Sequence, residues 1–293
     1  MRIALFGRAP LAVDCIDRLL AGGHEIVAVY APPDGARPDP LAAEARERGL
    51  SVLQRRFFQK KSGEPIAAAL EDYRACNAEL NVMASMTSFL PRFRGGNAMQ
   101  WQIIEGERES GVSIFVPDQG VDTGPIVVQK GGVAIEDDDT TGTLFFKKLY
   151  PLGVAAIVEA VEAIARGDAE PAAQDESRAT RQGLVDDGVA ALRLDRPAEQ
   201  VSRRVRGCDP QPGAFVRLGG EKLRLYDARL EPPESVGDRE PGTVTAVDES
   251  GIAIALPGGV LRCARVRGDA GKEPARDFAA RHGLQPGARV ADG

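Results

Sequence analysis

The chain has 293 residues, 43% hydrophobic and 27% charged, and its 37 basic against 43 acidic side chains give a formal charge of −6. That composition is globular and long enough for two domains of ordinary size; without a basic surplus it speaks against DNA as a partner. No apolar run reaches the about eighteen residues of a membrane span, and four scattered cysteines (Cys15, Cys76, Cys208, Cys263) form no CxxC pair, which points away from a zinc site or a disulfide framework and toward a reducing, cytoplasmic setting.

The opening Met1–Gly7 is too short in apolar residues for a signal segment, and Arg2–Phe6 reads as a buried strand. Val13–Leu20 has helical spacing closed by Gly22-Gly23, and Glu25–Tyr30 is a second, β-branched strand. After the breaker-rich loop Ala31–Pro40, helix signals cover Pro40–Arg48 and Glu64–Ala75, with a short strand at Ser51–Leu53 between them. Leu80–Ala84 is a third strand, Ala98–Glu105 a helix, Gly111–Val116 a strand, and Pro125–Lys130 a strand running back. Asp139-Thr140-Thr141 caps a long helix from Thr143 to Arg166. The alternation predicts an α/β fold with a doubly wound, mostly parallel, Rossmann-like sheet over residues 1–167.

Residues 168–196 carry the composition of a linker. Beyond it, Pro197–Arg206 reads as one helix, followed by short strands at Ala214–Leu218, Lys222–Leu230, Gly242–Val247, Gly251–Leu256 and Val260–Val266. One helix and then regular short strands predict a small OB-like β-barrel over residues 197–293. The densest basic stretches, Arg55-Arg56 with Lys60-Lys61 and Arg203-Arg204 with Arg206, are short enough to be solvated faces.

Ligands of a doubly wound sheet bind beyond the carboxyl ends of its strands, where the strand order reverses. The first loop there, Gly7-Arg8-Ala9-Pro10, lacks the G-x-G-x-x-G spacing that admits a pyrophosphate, so no dinucleotide is expected, and no phosphate-cradling G-x-x-x-x-G-K-[ST] loop occurs. The informative loop is Gly120-Val121-Asp122-Thr123-Gly124, which sets one carboxylate between glycines just after a strand, with Asp118 four residues upstream. Asp followed by Thr-Gly is a common turn. A carboxylate held at this end of the sheet can equally accept a proton or orient a second group.

Several motifs in order resemble the folate-dependent formyltransferases. These are Arg94–Trp101, Ile104–Glu107, Gly111–Phe115 and Gly120–Ile126, with Pro197–Glu199, Arg206-Gly207 and Pro212–Phe215 in the carboxyl half. The family includes methionyl-tRNA formyltransferase and the amino-terminal domain of 10-formyltetrahydrofolate dehydrogenase. Pro33-Asp34, Glu79–Val82 and Phe89–Pro91 look closer to the latter, hydrolase-type domain. The resemblance implies 10-formyltetrahydrofolate as cosubstrate, with no metal and no dinucleotide, and transfer or hydrolytic release of its formyl group. It places the catalytic, proton-handling carboxylate at Asp122. Met83, Ser85, Met86, Phe89 and Leu90 would then line the folate ring, or else belong to ordinary core. Arg94 and Gly95 would flank it, Arg94 holding the folate's glutamate tail or pairing with a surface acid. Asp118, Gly120, Val121, Thr123 and Gly124 would complete the cofactor site.

The same resemblance implies an Asn and a His on a strand ending in His-Pro-Ser-Leu-Leu-Pro, and that stretch is absent. Leu90-Pro91 runs straight into Arg92-Phe93-Arg94-Gly95. The two histidines, His24 and His282, match no catalytic position: His24 sits at the opposite end of a strand and His282 at a helix end. Either residues that belong between these flanks are missing from the sequence, which the Leu-Pro flanks favour, or the chain is naturally short. Loss of one oxyanion donor costs roughly 10²–10³ in rate, so the chain as written is expected to turn over poorly, or only to bind folate. In the loop Ala31–Pro40 one arginine, Arg37, stands against Asp34 and Asp39, a net charge of −1, the wrong sign for tracking phosphates. Water, a small amine or a carrier thiol is therefore expected as formyl acceptor ahead of tRNA.

Overall fold

The computed structural model describes residues 1–85, 89–232 and 239–293. Four strands form a parallel sheet in the order β3-β2-β1-β4, with β1 at Arg2–Gly7, β2 at Glu25–Ala31, β3 at Val52–Gln54 and β4 at Leu80–Ala84. Their runs of Ile, Val, Leu and Ala are apolar on both faces because helices cover both. On one face pack α1 (Leu11–Ala21), α2 (Pro40–Glu47) and α6 (Tyr150–Arg166), burying Ile3, Leu5, Ile16, Leu41, Val82 and Ile157 in one cluster. On the other, Tyr73 of α3 (Ala67–Ala75) closes over Ala4, Ala28 and Tyr30. Asp39 starts α2 by accepting the Ala42 N–H at 3.0 Å, with Pro40 behind it, as an N-cap followed by proline should.

The strand order reverses between β1 and β4. Among the described residues the sheet then stops, which narrows the expected continuous, mostly parallel sheet. β5 (Glu109–Phe115) and β6 (Ile126–Ala134) pair antiparallel with each other in a separate two-stranded sheet. Among the described residues nothing pairs with the outer edge of β4. Residues 89–97, on the path from β4 to β5, form turns and one isolated bridge rather than a strand. The chain instead packs onto β5 and β6. The Leu90 N–H donates to Ser113 Oγ at 3.0 Å, and the Gln129 amide donates to the Leu90 oxygen at 2.7 Å. The Phe89 ring lies over Gly111 and Gly131, where a Cβ would come within 2.7 and 2.8 Å of it.

α4 (Ala98–Glu105) follows this crossing. The helix expected from Thr143 starts instead as a short turn, α5 (Thr141–Thr143), in which Thr140 and Thr143 form a reciprocal capping box. A π-helical turn, Leu144–Leu149, precedes α6, whose second residue is Pro151. Proline lacks the N–H and clashes with the carbonyl four residues back, so the wider turn fits it.

Short α7 (Asp187–Ala190) and then α8 (Ala198–Gly207) lead into an antiparallel sheet in the order β7-β8-β11-β10-β9, with β12 on β11. These strands are β7 Phe215–Leu218, β8 Glu221–Glu231, β9 Val244–Asp248, β10 Gly251–Leu256, β11 Gly259–Gly268 and β12 Gly271–Pro274, and α9 (Ala275–His282) ends the run. Ile104 of α4 and Leu192 and Leu194 of the preceding segment share one buried core with Val201, Val205, Leu225, Leu261 and Phe278. The amino- and carboxyl-terminal halves are thus joined by packing as well as by the chain.

Candidate functional site

The Gly120–Gly124 loop is a tight, internally bonded turn. Asp118 Oδ1 accepts the Gly120 N–H at 2.9 Å and the Thr123 hydroxyl at 2.5 Å. The Thr123 hydroxyl, with the Gly120 N–H behind it, holds the Asp118 carboxyl below its ordinary range. Gly124 is obligatory by close approach, because an added Cβ would sit 1.8 Å from the Val116 oxygen. Asp122 takes a left-handed backbone conformation, φ +55, which Asp tolerates better than most residues. Its Oδ2 accepts the Gly95 N–H at 2.7 Å. The turn aims the carboxylate at the Arg94-Gly95 backbone.

Arg94 lies beneath this loop, 3% exposed. It donates to both oxygens of Glu176, at 2.8 and 2.6 Å, and to the Gln174 oxygen at 2.8 and 3.2 Å. The Glu176 hydrogen bonds raise its already high pKa, and the nearby Asp118 and Asp122 add to that. Four of the five N–H donors of this guanidinium are thus taken by Glu176 and Gln174 of its own chain.

Around Asp122 the fold therefore assembles Arg94, Gly95, Asp118, Gly120, Val121, Thr123 and Gly124. Phe89 and Leu90 are instead committed to the surface of β5 and β6. Met83 and Ser85 are exposed at the carboxyl end of β4, Met83 at 63%. Met86 lies outside the described residues. Phe6, at the end of β1, stacks on Tyr30 with ring centroids 4.2 Å apart, and Phe58 closes on both rings. Val116 and Val121 are about half exposed (45% and 52%). Met83, Val116 and Val121 thus leave apolar surface open, Val121 next to Asp122 in the chain, of the kind a flat heterocycle packs against.

The residues that sequence reasoning missed come from the segment with linker composition. Ala172 pairs with Ile126, Arg181 pairs with Arg94, and the Gln174 amide donates to the main-chain oxygens of Asp122 and Gly124 at 2.8 and 2.7 Å. No periodicity marks such a segment, because its contacts are made one residue at a time across the fold. The Gln174–Glu176 pair of polar side chains was the only available signal.

No imidazole stands near Asp122. His24 is buried with its ring nitrogens 3.0 Å from Glu162 and 3.4 Å from the Met1 amino group, and His282 stacks on Phe278 in the carboxyl-terminal half. Arg203, Arg204 and Arg206 are engaged as well. Arg203 pairs with Glu199, Arg204 donates to the Val189 oxygen, and Arg206 is buried. Among the described residues no helix is long and apolar enough to cross a membrane, and no group of three or more metal-ligating side chains occurs.

A formyl transferase family model matches residues 86–161, and a model of the formyl transferase C-terminal domain matches residues 187–283. The chain is 35% identical over 286 residues to methionyl-tRNA formyltransferase of Anaeromyxobacter dehalogenans, covering 88% of this chain and 89% of that one. It is 34% identical over 274 residues to mitochondrial 10-formyltetrahydrofolate dehydrogenase of Homo sapiens, covering 84% of this chain but 30% of that protein, so it spans less than a third of the dehydrogenase's length. Among solved structures, HypX from Aquifex aeolicus in complex with tetrahydrofolic acid superposes with a TM-score of 0.66 at 19% identity, over 96% of this chain and 47% of that one. The N-formyltransferase from Helicobacter canadensis superposes with a TM-score of 0.62 at 17% identity, over 89% and 98%. At such identities the likeness to these two is one of fold.

Proposed function

This chain belongs to the formyl transferase family, and we propose that it binds 10-formyltetrahydrofolate beside Asp122 and transfers or hydrolytically releases the formyl group. The observation that carries this reading is the held carboxylate: Asp122 Oδ2 accepts the Gly95 N–H, with half-exposed Val121 next to it in the chain. The cosubstrate supplies the formyl carbon on a nitrogen leaving group. Asp122 would accept a proton from the attacking nucleophile or hold a water against that carbon. Met83, Val116 and Val121 would cover the faces of the ring and exclude water. We read the carboxyl-terminal antiparallel sheet as an OB-like module over 197–293, joined through 168–196 to a catalytic part over 1–167, and the protein as cytoplasmic.

Among acceptors, water, a small amine or a carrier thiol stand ahead of tRNA. The engagement of Arg203, Arg204 and Arg206 by partners in the chain itself supports this, together with the −1 charge of the loop 31–40. Initiator tRNA offered in a filter-binding assay should bind weakly; tight, salt-sensitive retention would reverse the ranking.

A second reading, a folate-binding protein without turnover, is favoured by one observation: both histidines lie away from Asp122. Calorimetry with 10-formyltetrahydrofolate beside a formate-release assay separates the two. Release that disappears in Asp122→Asn supports the enzyme, binding without release supports the binding protein, and neither binding nor release would sink both.

A further inference from the structure

We infer that Gln174 is a positioning residue for Asp122, and that the segment 172–181 is a strap that holds the reactive loop in shape. This rests on the reading of Asp122 as the proton-handling group. Gln174 uses its whole carboxamide within the site. The nitrogen donates to the main-chain oxygens of Asp122 and Gly124, and the oxygen accepts two bonds from buried Arg94. The two carbonyls it holds flank Thr123, so the carboxamide closes the turn from outside while Asp118 closes it from inside. A left-handed Asp is a conformation that surroundings must enforce, and here the enforcing donor is Gln174.

The far side of the strap is fastened independently. The Arg94 N–H donates to the Thr180 oxygen at 2.9 Å, and the Phe93 N–H to Thr180 Oγ1 at 2.9 Å. Ala172 and Ile126 exchange two main-chain bonds of 2.8 Å. The strap is therefore anchored at both ends, and Gln174 reaches from it to the loop. The same backbone, Arg94-Gly95, carries both the strap's anchor and the N–H that Asp122 accepts. A displaced strap would shift the carboxylate through two routes at once. The segment runs on into Leu192 and Leu194 of the carboxyl-terminal core, so the strap also ties the packing of the second half to the geometry of Asp122.

The test is Gln174→Glu, which keeps the acceptor for Arg94 and removes the donors to the loop, beside Gln174→Met, which removes both. Amide hydrogen exchange at Gly95 reads the Asp122 carboxylate directly, with the Val29 amide in β2 as an internal standard. Gln174→Glu should accelerate exchange at Gly95 about tenfold, the worth of one to two net hydrogen bonds, leaving Val29 unchanged. Where formate release is measurable, kcat should fall by a similar factor, with KM for the folate within about twofold and the acid limb of the pH profile displaced. Equal exchange at Gly95 in wild type and Gln174→Glu would overturn the inference. Faster exchange in a protein that neither binds nor turns over 10-formyltetrahydrofolate would uphold the positioning while removing the proposed function.

Discussion

The Arg206 guanidinium of α8 donates to the main-chain oxygen of Asp139, 67 residues earlier, at 2.8 Å in a fully buried contact. With no carboxylate bonded to it, burial pulls the Arg206 pKa down. The acid beside it, Asp139, is taken by Lys148, the Glu136 N–H and Thr143. Around the contact, the Thr141 hydroxyl donates to the Gly207 oxygen and the Gly142 N–H to the Asp209 oxygen. Arg206→Ala leaves buried carbonyls without a donor and should cost about 2–4 kcal/mol of unfolding free energy, read in a urea titration. Arg206→Lys should recover less than half, since the Asp139 and Glu136 oxygens are reached from the single terminal nitrogen Nη1, which the shorter lysine side chain does not place at the same point. A loss below about 0.5 kcal/mol for the alanine variant would mean the contact contributes little to joining the halves.

Gly124 can carry no side chain, because its Cβ would overlap the Val116 carbonyl. Gly124→Ala should lower stability by about 2 kcal/mol or more and weaken binding of a stable folate analogue by more than stability alone explains, since the displaced residue is two from Asp122. Calorimetry well below the unfolding temperature measures the second effect.

Asp209 is a buried carboxyl, 4% exposed, whose pKa is raised by burial and only partly restored by the Asp227 N–H and Lys272. With the folded pKa above the unfolded one, the group favours folding below about pH 4, and that advantage disappears as pH rises through the folded pKa. Asp209→Asn keeps an acceptor for the Asp227 N–H without the charge. The variant should gain on the wild type in thermal midpoint as pH rises above 5, and the difference should shrink toward pH 4. A wild type that stays ahead at pH 8 would show that the Lys272 contact outweighs the burial.

For Asp118 the sign is opposite. Its carboxyl is held low by the Thr123 hydroxyl and the Gly120 N–H, so the turn's support is present above about pH 4 and lost as pH falls through the folded pKa. The Gly120 amide resonance should titrate with Asp118 below pH 4, and Asp118→Ala should abolish that titration and weaken folate-analogue binding about fivefold, the usual worth of such a cap. Unchanged binding would separate the turn from the ligand site.

Much of the frame was legible because its signals are local. Leu80–Ala84 and Gly251–Leu256 keep their boundaries in the structure, as does Ala98–Glu105, since strand runs and helix ends are written in consecutive residues. The Asp122 loop was legible for the same reason: five adjacent residues define its turn. The π-helical turn before α6 and the last strand, β12, were not, because each depends on what its neighbours pair with. Arg94 shows the limit well, since its pairing with an acid was visible in sequence as an option, but its partner, Glu176, lies 82 residues further along the chain.

Sequence by itself therefore determined which family's motifs the chain carries, which carboxylate sits in the tight turn, and that no stretch supplies a His beside it. These are properties of residue identity and short spacing. Tertiary structure decided the rest. It ended the parallel sheet at β4, folded Phe89 and Leu90 onto β5 and β6, buried Arg206 between the halves, and brought Gln174 to Asp122 across 52 residues of chain. Such contacts follow from how separate hydrophobic faces pack and which buried polar groups then require partners, and neither is encoded at any fixed sequence distance.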